Sequence, residues 1–162
     1  MTGNPVIRDL LPSEAGILKT MLYNAIYVPP GREKLPPEII EEPDIAVYIE
    51  GFGREGDICL VAETEGVIAG AVWTRLFSTE AKGYGFISSD IPELSMSVLE
   101  QYRRQGIGTK LLAGMLKRLA SECYPQVSLS VDLANYAYHM YVKSGFEDYA
   151  RHDESMTMLR QI

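Results

Sequence analysis

The chain has 162 residues, 46% of them apolar, with 14 glycines and 9 prolines, a composition that fits one globular domain spanning residues 1–162. Its formal charge is -7, and its only basic tracts are the pairs Arg103-Arg104 and Lys117-Arg118, which argues against nucleic-acid binding. No apolar run approaches the roughly 18 residues of a membrane span, no leader-like segment opens the chain, and Cys59 and Cys123 form neither a metal spacing nor a disulfide framework. A cytoplasmic protein without a metal is therefore expected, with no nucleic-acid or membrane partner.

Residues 6–10 read as a short first strand, and Pro12 suits the start of the helix after it. Ile17, Leu18, Met21, Leu22, Ala25 and Ile26 recur with a helical period, and that helix ends before Pro29-Pro30-Gly31. Residues 27–56 form a proline-rich excursion with a short helical pattern around 44–50. An excursion of that length in a small domain is usually functional or mobile, and it reads as a wall or lid. Its acidic residues, Glu38, Glu41, Glu42, Asp44, Glu50 and Glu55, make a solvated acidic surface or one that favours a cationic ligand. Two β-rich runs, 58–64 and 67–77, joined by Glu65-Gly66, read as a hairpin. A polar, glycine-bearing loop over 78–91 leads to a strand at 94–99.

That strand runs through Arg103-Arg104-Gln105-Gly106-Ile107-Gly108-Thr109 into a helix whose Ile107, Leu111, Leu112, Met115 and Leu119 share one face. The first helical amides have no intrahelical partner, and the aligned peptide dipoles place roughly half a positive charge there. Gly106 and Gly108 let an anion approach the backbone, and the arginines add full charges beside it. The local chemistry is that of phosphate binding, although a Gly-x-Gly at such a junction can also be only a tight turn. The chain has no G-x-x-x-x-G-K-[ST], and Leu111 stands where a third glycine of G-x-G-x-x-G would fall.

Downstream, Val127, Leu129 and Val131 alternate with Ser128 and Ser130 as in a strand. Residues 135–144 read as a last helix stopped by Gly145, a natural C-terminal cap. Runs 146–150 and 155–159 are expected to pair as closing strands. His139 and His152 stand at no metal spacing, so a zinc site has no support.

Arg103-Arg104-Gln105-Gly106-Ile107-Gly108 matches the pattern [Arg/Gln]-x-x-Gly-x-[Gly/Ala], and Asn135, Ala137, Tyr141 and Gly145-Phe146 follow in order. In this the chain resembles the GNAT N-acetyltransferase superfamily, by motif over roughly residues 92–150 and by layout throughout. The resemblance implies an α+β fold, a central mixed but mostly antiparallel sheet flanked by helices, with two strands splayed at the cofactor site between 94–99 and 127–131. It implies acetyl-CoA as co-substrate, with its arm on Val98 and Leu99 and its pyrophosphate at Arg103, Arg104, Gln105, Gly106, Ile107, Gly108 and Thr109. Asn135 and Ala137 complete the cofactor set. A backbone N–H near Ser97 or Val98 is placed to polarise the thioester carbonyl.

The implied reaction is direct attack by a primary amine of a small molecule or an amino-acid-like acceptor. A lysine-like amine with pKa about 10.4 is neutral in only about one part in 2,500 at pH 7, a deficit of roughly 4.6 kcal/mol that a base must help recover. Glu93, at the start of the splayed strand, is the candidate base, with a water-relayed proton or another carboxylate as the rival. Tyr141 is the candidate proton donor to the departing thiolate, against the alternative of a core tyrosine beside Tyr138. Trp73, Tyr23, Tyr27, Tyr48, Tyr84 and Phe86 are candidates for an acceptor pocket, or for packing. A non-catalytic acyl-CoA-binding module and a peptide or protein N-acetyltransferase, whose groove residues 27–56 would leave open, are the competing readings. Homodimers are common among the proteins this chain resembles.

Overall fold

The computed structural model describes residues 3–162. Seven strands form one sheet: β1 Val6–Asp9, β2 Ile58–Thr64, β3 Val67–Arg75, β4 Glu93–Val98, β5 Gln126–Asp132, β6 Glu147–His152 and β7 Ser155–Gln161. Their spatial order is β1-β2-β3-β4-β5-β7-β6. Every neighbouring pair is antiparallel except β4 and β5, which run parallel. The helices are α1 Ile17–Ala25, α2 Pro43–Ala46, α3 Ile107–Ser121 and α4 Ala137–Lys143.

Hydrophobic patterning assigns the layers. Ile107, Leu111, Leu112, Met115 and Leu119 of α3 are buried, and with Tyr141 of α4 they pack on Leu60, Val72, Leu94, Val127, Leu129, Val131, Met156 and Met158. Full burial of a leucine or methionine of this kind is worth about 1.5–3 kcal/mol. The opposite face buries Leu18, Met21 and Leu22 of α1 against Cys59, Val61, Ala71 and Trp73. Alternation along β4 then decides which face each functional side chain meets: Leu94 joins the α3 side, so Glu93 and Ser97 join the α1 side, where the Ser97 hydroxyl donates to the Met21 carbonyl at 2.7 Å.

Some boundaries differ from the sequence expectation. Pro12 opens a 3-10 turn, Pro12–Glu14, and α1 proper starts at Ile17. Within the excursion Pro36, Pro37 and Pro43 lack N–H donors, and it breaks into a 3-10 turn, Pro37–Glu41, and the single-turn α2, which ends at Ala46 where the helical pattern ran on to 50. β3 stops at Arg75, two residues short of Phe77, and β4 begins at Glu93, one residue earlier than the apolar run suggests.

Candidate active site

β4 and β5 touch as strands at one register pair, Glu93 with Ser128, fastened by the Ser128 amide donating to the Pro92 carbonyl at 3.0 Å. Beyond that pair they diverge. The Leu99 amide donates to Ala69 of β3 at 2.8 Å, so by antiparallel alternation the odd-numbered residues of β4 spend their backbone groups on β3. Met96 and Val98 therefore turn theirs towards the opening. Such groups need a partner. The Val98 carbonyl has one in Arg103, whose Nε donates to it at 2.8 Å. Of the two residues expected to meet an extended ligand through the backbone, Val98 faces the opening, whereas the Leu99 amide is committed to β3.

The turn into α3 stands at the mouth of this opening. Gly106 is the N-cap at φ +79°, a left-handed conformation that glycine adopts without strain, and no side chain caps the helix. The first amides of a 15-residue helix are thus unclaimed by any cap side chain, and Arg103, Arg104, Gln105 and Thr109 are exposed around them. Arg104 too has positive φ, +64°. Gly108 differs from Gly106: a Cβ there would meet Met140, Met96 and Val98 at 3.6–3.8 Å, ordinary contact distances, so the fold itself does not exclude a larger residue. Ile107 is buried and anchors the turn to the core.

α4 borders the opening on the same face of the sheet. Asn135 Oδ1 accepts from the Ala137 amide at 2.9 Å in the turn that leads into the helix, and Ala137 packs against the core. Gly145 at φ +97° ends it, with the Phe146 amide returning to the Tyr141 carbonyl at 3.0 Å. Tyr141 is 6% exposed, and its ring meets Phe146 edge-on with centroids 5.6 Å apart. Burial pushes its phenol well above the ordinary value. Its hydroxyl makes no hydrogen bond among the described residues. The ring is core, as the alternative reading had it, but the hydroxyl remains available.

Glu93 lies on the other face and is 3% exposed. The Tyr48 hydroxyl donates to its Oε2 at 2.5 Å and accepts the Tyr84 amide at 2.6 Å. Burial raises the carboxyl to about 7, against the lowering influence of Tyr48 and the nearby Gly85 amide. Among the described residues Oε1 has no hydrogen-bond partner, nor does the buried hydroxyl of its register partner Ser128. Residues 83–85 close over the group: a Cβ on Gly83 would lie 2.3 Å from Glu93 Oε1, and one on Gly85 2.6 Å from the Leu129 carbonyl carbon. At Gly83 the Glu93 carboxyl and the Tyr48 hydroxyl, and at Gly85 the backbone of Leu129 and Ser130, lie where a side chain would have to go.

The excursion is tied across this face. The Tyr27 hydroxyl donates to the Ala134 carbonyl at 3.2 Å, spanning from the end of α1 to the end of β5. Tyr23 donates to the Leu35 carbonyl and Tyr84 to the Asp44 carboxylate. Arg75, 1% exposed, pairs with Asp57 through two bonds at 3.0 and 2.8 Å and donates to the Val47 and Glu50 carbonyls. Burial acts to raise Asp57, but Arg75 and the Gly53 and Arg54 amides bring it below the usual carboxylate range. Trp73 is core, and its indole N–H holds the Tyr48 carbonyl at 3.2 Å. Sequence reasoning gave Tyr48 only as a pocket-lining candidate and did not reach Ser128, Gly83 or Gly85. The Gly-Tyr-Gly at 83–85 was the one available signal, two glycines spaced for close backbone approach.

A sequence model of the acetyltransferase (GNAT) family matches residues 21–146. The chain belongs to the GNAT acetyltransferase family. Among its GNAT relatives, an N-alpha-acetyltransferase of Sulfurisphaera tokodaii is 36% identical over 112 residues, 62% of this chain, and the match spans 63% of that protein's length. The PaiA N-acetyltransferase of Thermoplasma acidophilum, solved in complex with coenzyme A, superposes with a TM-score of 0.72 over 99% of this chain and 100% of that one, at 17% identity. A ribosomal-protein-alanine N-acetyltransferase of Brucella melitensis gives a TM-score of 0.68 over 97% and 99%, at 21% identity. These structures share the GNAT fold with this chain. Among the described residues no group of His, Cys, Asp and Glu is arranged to hold a metal, and no helix is long and apolar enough to cross a membrane.

Proposed function

We propose that this protein moves the acetyl group of acetyl-CoA to the primary amine of a small molecule or an amino-acid-like acceptor. The observation that carries the reading is the opening of β4 from β5 immediately after Glu93 and Ser128, beside an α3 N-terminus without a capping side chain. The opening offers unpaired backbone to an extended pantetheine arm. Arg103, Arg104 and the amides of Ile107, Gly108 and Thr109 suit a pyrophosphate.

In this reaction the amine nitrogen bonds to the acetyl carbon, and the C–S bond breaks. Glu93 receives the amine proton on Oε1, the oxygen that Tyr48 leaves free. A carboxyl raised to about 7 suits that task near neutral pH, where it is partly ionised and basic enough to accept. Tyr141 faces the developing sulfur charge from α4. A buried phenol is a weaker acid than a thiol of pKa about 8.5, so its contribution is a hydrogen bond to the departing thiolate more than complete proton transfer.

The acceptor assignment rests on the excursion. Tyr27 bridges to Ala134 and Tyr48 reaches Glu93, so residues 27–56 enclose the acceptor face, which favours a compact amine over a long chain. The relative of Sulfurisphaera tokodaii, an N-alpha-acetyltransferase, favours a second reading in which a peptide N-terminus enters. Thiol release from acetyl-CoA, followed across polyamines, amino acids, amino-acid amides and short peptides with free N-termini, tests both. Turnover with the compact amines alone supports the first reading and turnover with peptides alone the second. Thermal stabilisation by acetyl-CoA with no thiol release from any of them would support a binding module instead.

A further inference from the structure

We propose that Tyr48 is a positioning residue for the reaction, holding the Glu93 carboxylate by one oxygen so that the other is presented at the vertex between β4 and β5. The proposal rests on Glu93 being the base. Its geometric basis is independent of that role. The Tyr48 hydroxyl has one proton, given to Glu93 Oε2, and it accepts the Tyr84 amide, so its rotation is fixed from both sides. The ring is fixed as well, edge-on to Phe77 with centroids 5.3 Å apart, and the Tyr48 carbonyl is held by the Trp73 indole. A carboxylate with one oxygen so held has little freedom left about its last torsion. Oε1 is then the oxygen left without a hydrogen bond, with Gly83 against it, on the residue whose strand partner is Ser128.

The groups that face Glu93 leave Tyr48 as the one side chain able to set its orientation. Arg75, its register partner on β3, is committed to Asp57 and to two carbonyls of the excursion. Ser128 on β5 makes no bond to it, and residues 83–85 contribute glycine and backbone. The Tyr84 phenol turns outwards to Asp44. Position 48 lies 45 residues from Glu93, on the excursion, so the segment that encloses the acceptor also aims the base.

The test compares Tyr48→Phe and Glu93→Gln through the pH dependence of kcat/KM, together with a carbon-13 titration of the Glu93 carboxyl. Removing the hydroxyl withdraws a donor that favours the ionised carboxylate, so in Tyr48→Phe both the acid limb and the carboxyl titration should move up by about one pH unit. The high-pH plateau should also fall, about tenfold, because the carboxylate is no longer aimed. Tyr84→Phe, which cuts only the outer bond to Asp44, should leave the limb midpoint in place. A Tyr48→Phe enzyme with lower melting temperature but an unmoved limb and titration would overturn the positioning role while leaving Glu93 as base. An acid limb that persists at its wild-type midpoint in Glu93→Gln would remove the base assignment and this proposal with it. If Tyr48→Phe does not fold, Tyr48→His, which keeps a ring and a donor, must restore folding with a limb displaced from wild type, and an undisplaced limb overturns the proposal.

Discussion

Glu93 and Ser128 face each other across the one point at which β4 and β5 are paired, and each carries a buried oxygen without a hydrogen bond. Buried polar atoms are seldom left so, and two on adjacent strands at the vertex of an opening mark where strand pairing yields to another purpose. Several expected outcomes follow from residues arranged around that vertex.

The first concerns stability and Glu93 alone. Its carboxyl is raised from 4.5 to about 7, so between those pH values the folded protein holds a proton that the unfolded chain has released. That stabilisation is complete below pH 4.5, declines as pH rises through 7, and is absent above it. The shift corresponds to about 3 kcal/mol at most. Glu93→Gln, neutral throughout, should therefore melt higher than wild type at pH 8, and the difference should disappear near pH 4.5. Equal melting temperatures at pH 8 would mean the carboxyl is better solvated than its burial implies.

At Tyr141 the ring and the hydroxyl have separable duties. Tyr141→Phe keeps the contact with Phe146 and should change stability by less than about 1 kcal/mol, because the hydroxyl bonds to nothing among the described residues. Turnover should fall about 10- to 100-fold, with acetyl-CoA affinity within about twofold. Single-turnover rates and calorimetric binding check the two parts, and unchanged turnover would return Tyr141 to a purely structural role.

For the turn before α3, charge and shape can be tested apart. Arg103→Glu removes an exposed arginine and its solvent-accessible bond to the Val98 carbonyl, and should lower the melting temperature of the free protein only slightly while greatly reducing its stabilisation by acetyl-CoA. At a ligand concentration of 100 times Kd the wild type gains about 2.7 kcal/mol. Gly106→Val, which forces a β-branched residue to φ +79°, carries its own cost of about 1–3 kcal/mol, so it is read against its own free state. Full stabilisation in a variant that carries both Arg103→Glu and Gly106→Val would place the cofactor elsewhere.

The excursion depends on Arg75. Asp57→Ala leaves that guanidinium buried beside two carbonyls and no carboxylate, a change that should cost about 3–5 kcal/mol in urea unfolding. Because the Asp57 pKa is depressed, its contribution is present above the ordinary carboxylate range and is lost as pH falls through the folded value. The penalty of Asp57→Ala should accordingly shrink in acid.

These sites were unequally legible in the amino-acid string. The buried stripe of α3 followed from a 3.6-residue period among neighbours in sequence, and Gly106 and Gly145 from their places at a helix start and stop, so local geometry was enough. The family pattern, not the period, pointed to the opening, because nothing local tells two strands to separate. Glu93 was legible as a strand-start carboxylate, but its partner was not: Tyr48 meets it across a separation of 45 positions, and one tyrosine among ten carries no mark of that contact. The Arg75–Asp57 pair was invisible for the same reason. The excursion resisted reading because its prolines divide it into turns that take their shape from tertiary bonds rather than from periodicity.

The parallel pairing of β4 and β5 has a further effect. Antiparallel neighbours can be joined by a tight turn, but parallel ones need a crossover, and here α3 supplies it. A crossover must leave from the far end of the first strand, which is the end where the strands have already parted. The electropositive tip of α3 is therefore delivered to the mouth of the opening by connectivity itself. Substitutions in the turn tune that attraction, but relocating it would require rewiring the chain.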